Sequence, residues 1–195
     1  MPSLLRLDQK STVLLIEDYQ NAIVEGFAPD RDALLKRTAS VLHGARRAGI
    51  PVIYVKVCFR EGYPEVLPEV RQRDPKRFSN RRMVEGTPGA EIHPDVAPEP
   101  GEVVVTKRRT GPFSTTDVNA VLHALGARTL AVMGVATSGC VLSTVRWAAD
   151  IDYSLVVISD CCADPDPEVH RVLTEKVFPR QAAVVTAQEF LAALS

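Results

Sequence analysis

Six short apolar runs are the feature that most constrains this chain: STVLLIED (11–18), PVIYVKV (51–57), EVVVTK (102–107), RTLAVMGV (128–135), YSLVVISD (153–160) and QAAVVTA (181–187). They are rich in Val, Ile and Leu and do not alternate cleanly with polar residues, the pattern of strands covered on both faces. Between most of them lie stretches with apolar positions at helical spacing. Residues 30–48 end at Gly49, residues 115–125 end at Gly126, and 138–149, 166–177 and 187–194 complete the set. Strand and helix in alternation predict an α/β fold, a parallel sheet with helices on both faces. Right-handed crossovers make that a three-layer αβα sandwich. One stretch, 58–101, is proline-rich, carries the Arg-rich piece RFSNRRM, and reads as a long irregular excursion between the second and third strands.

The 195 residues fit one domain, 1–195, with a full core. A net charge of −1 offers no electrostatic case for nucleic acid or an anionic membrane as partner. No apolar run is long enough to span a bilayer, and the first residues lack a secretion signal. The four cysteines, Cys58, Cys140, Cys161 and Cys162, form no paired CxxC arrangement, which fits a reduced, cytoplasmic protein.

Open parallel sheets bind ligands at the carboxyl ends of their strands. The first run ends in Glu17-Asp18, the third in Lys107, and the fourth leads through Ala136-Thr137-Ser138-Gly139 to Cys140; the fifth ends in Asp160. An acid, a base and a thiol thus reach one sheet edge from separate segments. An ammonium and a helix N-terminus both favour a thiolate at Cys140. A carboxylate at Asp18 can take the thiol proton and later hand it to a leaving amine. The small residues Gly134, Ala136, Ser138 and Gly139 let a substrate approach the backbone, leaving N–H groups to face an oxyanion. No histidine is suitably placed: His43 and His123 lie within helical patterns, His93 and His170 elsewhere. Each feature also has a plainer reading, as a buried structural thiol, a turn cap or a surface lysine.

These residues resemble a known family. LLIEDYQN, VVVTKRRTGPF and MGVATSGCVLSTVRWAADIDY look like the three signature segments of the isochorismatase-like cysteine hydrolases, and EGTPGAEIHPDVAPEPGEVVVTK is similar to that family's approach to its lysine strand. The family includes nicotinamidases, N-carbamoylsarcosine amidohydrolases and ureidoacrylate amidohydrolases. The resemblance implies a six-stranded parallel sheet of order 3-2-1-4-5-6 and a triad of Asp18, Lys107 and Cys140. It implies oxyanion donors at the N–H groups of Ala136 and Cys140, a cis peptide from Val135 to Ala136, and a homo-oligomer (dimer or tetramer). Nicotinamidases carry an Asp-x-His metal motif after the second strand, where this chain reads VKVCFREGYPE, so no metal and no cofactor are expected. Gly139 stands where nicotinamidases usually have His. Isochorismatases proper lack the nucleophilic cysteine, so Cys140 argues against that activity.

The expected reaction is therefore hydrolysis of an amide or ureido C–N bond of a small molecule through a Cys140 thioester. Tyr19, Arg109, Phe113 and Thr137 are expected to contact the substrate, with Trp147 near the pocket. Arg81, Arg82, Arg108 and Arg109 are candidates to pair with a substrate carboxylate. Two other readings stand beside this one, a catalytically silent interaction protein of the same fold and a redox-sensing cysteine.

Overall fold

The computed structural model describes residues 5–75 and 78–194; Arg77 of the Arg-rich piece lies outside the described residues. The six apolar runs become six strands: β1 (Thr12–Glu17), β2 (Val52–Val57), β3 (Val103–Lys107), β4 (Thr129–Gly134), β5 (Ser154–Ile158) and β6 (Ala183–Val185). All neighbours pair in parallel and the order is β3-β2-β1-β4-β5-β6, as expected. Every residue of β1 is buried, because it lies at the centre with a strand on either side and helices on both faces. Val103 and Val104 are exposed because β3 is an edge.

The helices are α1 (Asn21–Phe27), α2 (Arg31–Arg47), α3 (Pro68–Arg73), α4 (Val118–Ala124), α5 (Leu142–Asp150), α6 (Pro167–Val172) and α7 (Ala187–Ala192). Because the chain steps outward from β1 to β3 and then from β4 to β6, right-handed crossovers put α2 on one face and α4 to α6 on the other. The helix α2 is capped at its carboxyl end by Ala48, and Gly49 follows at φ 72°, the left-handed position that glycine occupies without strain. Two helical stretches open or close as π-helical turns, Thr137–Val141 before α5 and Leu173–Val177 after α6.

The excursion 58–101 is more ordered than its composition suggests. It holds α3 and several 3-10 turns, and it builds a second small core from Val57, Phe59, Tyr63, Val66, Met83 and Val84 with Ala22. Phe59, Tyr63 and Phe78 pack with ring centroids 5.4–5.7 Å apart. Gln20, fully buried, ties this layer to the sheet. Its amide donates to Val57 O (2.9 Å) and Ala90 O (2.7 Å), and its carbonyl accepts from Val57 N (2.8 Å).

The strand register places the site. Glu17 at the end of β1 lies opposite Gly134 of β4 and Val55 of β2, and Lys107 lies opposite Val57. The carboxyl ends of β1, β3 and β4 therefore finish close together. In open parallel sheets ligands bind where the strand order reverses, which here is between β1 and β4.

Candidate active site

Asp18 is the first residue beyond β1. The chain leaves the sheet there at φ 58°, a left-handed conformation that Asp tolerates better than most residues. Its amide donates to Val55 O (2.8 Å), which anchors the turn. Asp18 is 5 % exposed and meets Lys107, itself 1 % exposed, with Nζ donating to Oδ2 at 2.6 Å. Lys107 Nζ also donates to the carbonyl of Thr110. Burial opposes the Lys107 ammonium, but Asp18, Cys140 and Glu17 outweigh it and hold its pKa above the ordinary value.

Cys140 lies in the turn that joins β4 to α5 and is 2 % exposed. Its thiol points at Ala136 O, 3.6 Å away. The peptide bond Val135–Ala136 is cis. The amides of this turn are largely spoken for: Thr137 N donates to Ala163 O (2.8 Å), Ser138 N to Asp164 Oδ2 (2.8 Å) and Gly139 N to Ala136 O (3.0 Å). The surroundings of Cys140 favour the thiol over the thiolate. Burial pushes the thiol well above its usual range, Asp18 and Glu17 push it further, and Lys107 pulls the other way without prevailing. At neutral pH Cys140 rests as a thiol, so a base must take its proton before it can attack.

Sequence reasoning missed Glu17. It is fully buried, and its Oε1 accepts from Thr144 Oγ1 of α5 at 2.6 Å. Burial drives its carboxyl up to about 8, against the pull of Lys107 and Thr144. The small residue across from it has a different purpose from the one expected. A Cβ on Gly134 would lie 3.0 Å from Glu17 Cβ and 2.9 Å from Val141 Cγ2, so Gly134 makes room for this carboxylic acid and for the helix rather than for a substrate. His170 was also passed over. Its Nδ1 hydrogen-bonds Thr137 Oγ1 at 2.8 Å, from 33 residues away in the chain.

The expected contact residues separate into different environments. Tyr19 does not line a cleft: it is 1 % exposed, and its hydroxyl donates to Cys161 O (2.6 Å) and meets Thr38 Oγ1 (2.7 Å). The phenol so placed packs the core against Thr38 of α2. Thr137 is fully buried and its hydroxyl is engaged by His170. Phe113 stacks on Trp147, with centroids 6.5 Å apart and planes 9° from parallel. The two line a cleft of about 170 Å³ with Gly111, Ser114 and Ser143. Gly111 lets this loop lie against α5, since a Cβ there would be 2.9 Å from Ser143 Cβ. A larger cleft of about 480 Å³ lies between α2 and α7, lined by Ser40, His43, Arg47 and Leu191. It sits towards the end of the sheet where β2 begins, away from Cys140.

Three of the four arginines are taken. Arg81 pairs with Glu61, Arg82 with Glu25 (3.1 Å), and Arg108 with Glu85 and Glu65 while donating to Cys58 O (2.5 Å). Arg109 is exposed, donates only to Arg108 O (2.8 Å), and has no carboxylate partner among the described residues. Asp160 accepts from Ala187 N (2.7 Å), the first amide of α7. Among the described residues no group of three or more His, Cys, Asp or Glu side chains is gathered as a metal site would require, and no helix is long and apolar enough to cross a membrane.

Several known proteins are similar to this chain. A maleamate amidohydrolase of Pseudomonas putida is 28 % identical over 184 residues, covering 93 % of this chain and 85 % of that protein. A ureidoacrylate amidohydrolase, RutB of Rhizobium rhizogenes, is 29 % identical over 214 residues, covering 97 % and 81 %. The solved structure of an isochorismatase family protein from Burkholderia thailandensis superposes with a TM-score of 0.80 at 27 % identity, covering 98 % of this chain and 99 % of that one. Residues 12–189 match the isochorismatase domain, and with the strand order and the buried strand-end residues described above this places the chain in the isochorismatase family.

Proposed function

We propose that this chain is a cysteine hydrolase that cleaves an amide or ureido C–N bond of a small molecule, with Cys140 as nucleophile, Asp18 as proton shuttle and Lys107 as the cation that holds them in one geometry. The observation that carries the reading is the 2.6 Å ion pair of Asp18 and Lys107, buried beside a thiol that both groups influence. A buried ion pair is a poor way to gain stability. Its place at the sheet edge next to a protonated thiol is better accounted for by chemistry.

Asp18 accepts the Cys140 proton as sulfur attacks the carbonyl carbon. The C=O π electrons move to oxygen, and the oxyanion is met by backbone N–H groups. We assign the donors to the backbone N–H groups of Ala136 and Cys140, the pair that the family resemblance implies. The tetrahedral intermediate collapses, the C–N bond breaks, and the nitrogen leaves carrying the proton from Asp18. Water then gives a proton to Asp18 and its hydroxyl to the thioester. The acid product departs and the proton returns to sulfur. Throughout, the pocket holds one ammonium and one negative charge, shared in turn by carboxylate, sulfur and oxyanion.

Maleamate and ureidoacrylate, for which two of the relatives are named, are both carboxylates. Arg109 is the arginine we assign to such a carboxylate, with Phe113 as a wall of the pocket. We further propose one domain acting as a homo-oligomer in the cytoplasm. An ammonia-release screen over small amides and ureido acids, maleamate and ureidoacrylate included, tests the function. Activity that disappears in Cys140→Ser is expected. Equal activity of wild type and Cys140→Ser on every turned-over compound would refute the mechanism.

A further inference from the structure

The site holds a second carboxyl for which the mechanism has no use. Glu17 is the last residue of a fully buried strand and is itself 0 % exposed. One oxygen accepts from Thr144 Oγ1 at 2.6 Å; the other, Oε2, is buried with no donor at ordinary hydrogen-bond distance among the described residues, and the Cys140 thiol lies close enough to favour the ionised carboxyl. The titratable groups that face or act on it come from each surrounding segment: Asp18 beside it, Lys107 at the end of β3, Cys140 in the turn after β4, and Cys162 after β5. Among these Lys107 is the cation, and it is bonded to Asp18.

The charge balance of the site depends on this carboxyl. With Glu17 neutral, Lys107 and Asp18 cancel, and the site remains neutral when the Cys140 proton moves to Asp18. With Glu17 ionised, two negative groups share one ammonium before the thiol has lost its proton; moving that proton to Asp18 leaves Glu17 and the thiolate competing for Lys107, and losing it to solvent adds a third negative charge. We propose that Glu17 is a positioning residue, held as the neutral acid so that Lys107 serves Asp18 and the Cys140 thiolate, and that its loss of a proton to solvent closes the site at alkaline pH. The burial that drives its carboxyl up to about 8 puts that closure just above neutrality. Thr144 tunes it, because its donated hydrogen bond favours the ionised form. The inference rests on the reading of Cys140 as the nucleophile, but its tests do not need a substrate.

Infrared difference spectra of wild type minus Glu17→Gln, recorded on the whole protein, are expected to show the C=O stretch of a protonated carboxyl at pH 7. That band should bleach as the pH passes through about 8. Its absence at pH 7 would overturn the proposal. Iodoacetamide labelling of Cys140, followed by peptide mass mapping, supplies the functional arm. A like charge at close range shifts a neighbour by about one unit or more, so Glu17→Gln should label about tenfold faster than wild type at pH 9. Identical labelling profiles, or no labelling of Cys140 in either protein up to pH 10, would count against it. Should Glu17→Gln not fold, Thr144→Val serves instead: it keeps the carboxyl, removes its donor, and should move the bleaching to higher pH. An unmoved band would overturn the role of Thr144 and the proposal with it. A chain that hydrolyses nothing yet shows both signatures would refute the hydrolase reading alone.

Discussion

Replacing Glu17 with glutamine is expected to raise stability relative to wild type as the pH increases from 5 to 8. In the unfolded chain this carboxyl ionises near 4.5, whereas in the folded protein burial keeps its proton until about 8. Between those values the folded state binds one more proton than the unfolded state. Its contribution is complete below 4.5 and is lost as the pH rises towards 8, at about 1.4 kcal/mol for each pH unit. Glutamine has nothing to titrate. It keeps an oxygen for the Thr144 hydroxyl and adds a buried amide donor, a pH-independent cost of about 1–3 kcal/mol. Between pH 5 and pH 8 the difference in unfolding free energy should therefore move by on the order of 4 kcal/mol in favour of the variant. Urea titrations at four pH values read this directly. With a slope of about 2–3 kcal/mol/M, the gap between midpoints should change by about 1.3–2 M. Parallel curves, with the same gap at pH 5 and pH 8, would show that Glu17 does not hold its proton, and the reasoning about this carboxyl would fail.

Lys107→Ala leaves Asp18 buried without its ammonium, and should cost about 3–5 kcal/mol in urea titration at pH 7 along with all activity. Gly134→Ala drives a methyl to within about 3.0 Å of Glu17 and Val141, and should cost about 1–3 kcal/mol by the same assay. Arg109→Ala should raise KM about tenfold to a hundredfold for amides bearing a carboxylate and leave neutral amides unaffected, since a hydrogen bond to a charged group contributes about 1.5–3 kcal/mol. Steady-state kinetics on a matched pair of amides separates the two outcomes.

The sheet is legible in the sequence because its strands are buried on both faces. A run such as TVLLIE, six residues with no polar alternation, is too short for a helix of ordinary length and too apolar for a loop, and the Gly49 and Gly126 stops mark the helix ends on either side of the strands. The strand ends follow from parallel topology alone: Asp18 and Lys107 meet because β1 and β3 finish at the same edge with β2 between them. What the sequence hides is anything settled by packing. Glu17 reads as an ordinary polar residue at a strand terminus; only the β4 register, with a glycine across from it, reveals room for a buried acid. Tyr19 sits next to Asp18 in the chain, yet its ring turns into the core because Thr38 and the Cys161 carbonyl await its hydroxyl. His170 reaches Thr137 only because α6 folds back over the turn. The excursion 58–101 looks irregular because its order comes from aromatic contacts and the Gln20 amide rather than from any period.

The mechanism turns on sulfur as the attacking atom. Rapid acid quench of the protein with any amide it turns over, followed by peptide mass mapping, measures this most directly. The predicted result is an acyl adduct on Cys140, absent in Cys140→Ala, whose ammonia release falls by several powers of ten. An acyl group on another residue, or undiminished ammonia release by Cys140→Ala, would contradict it.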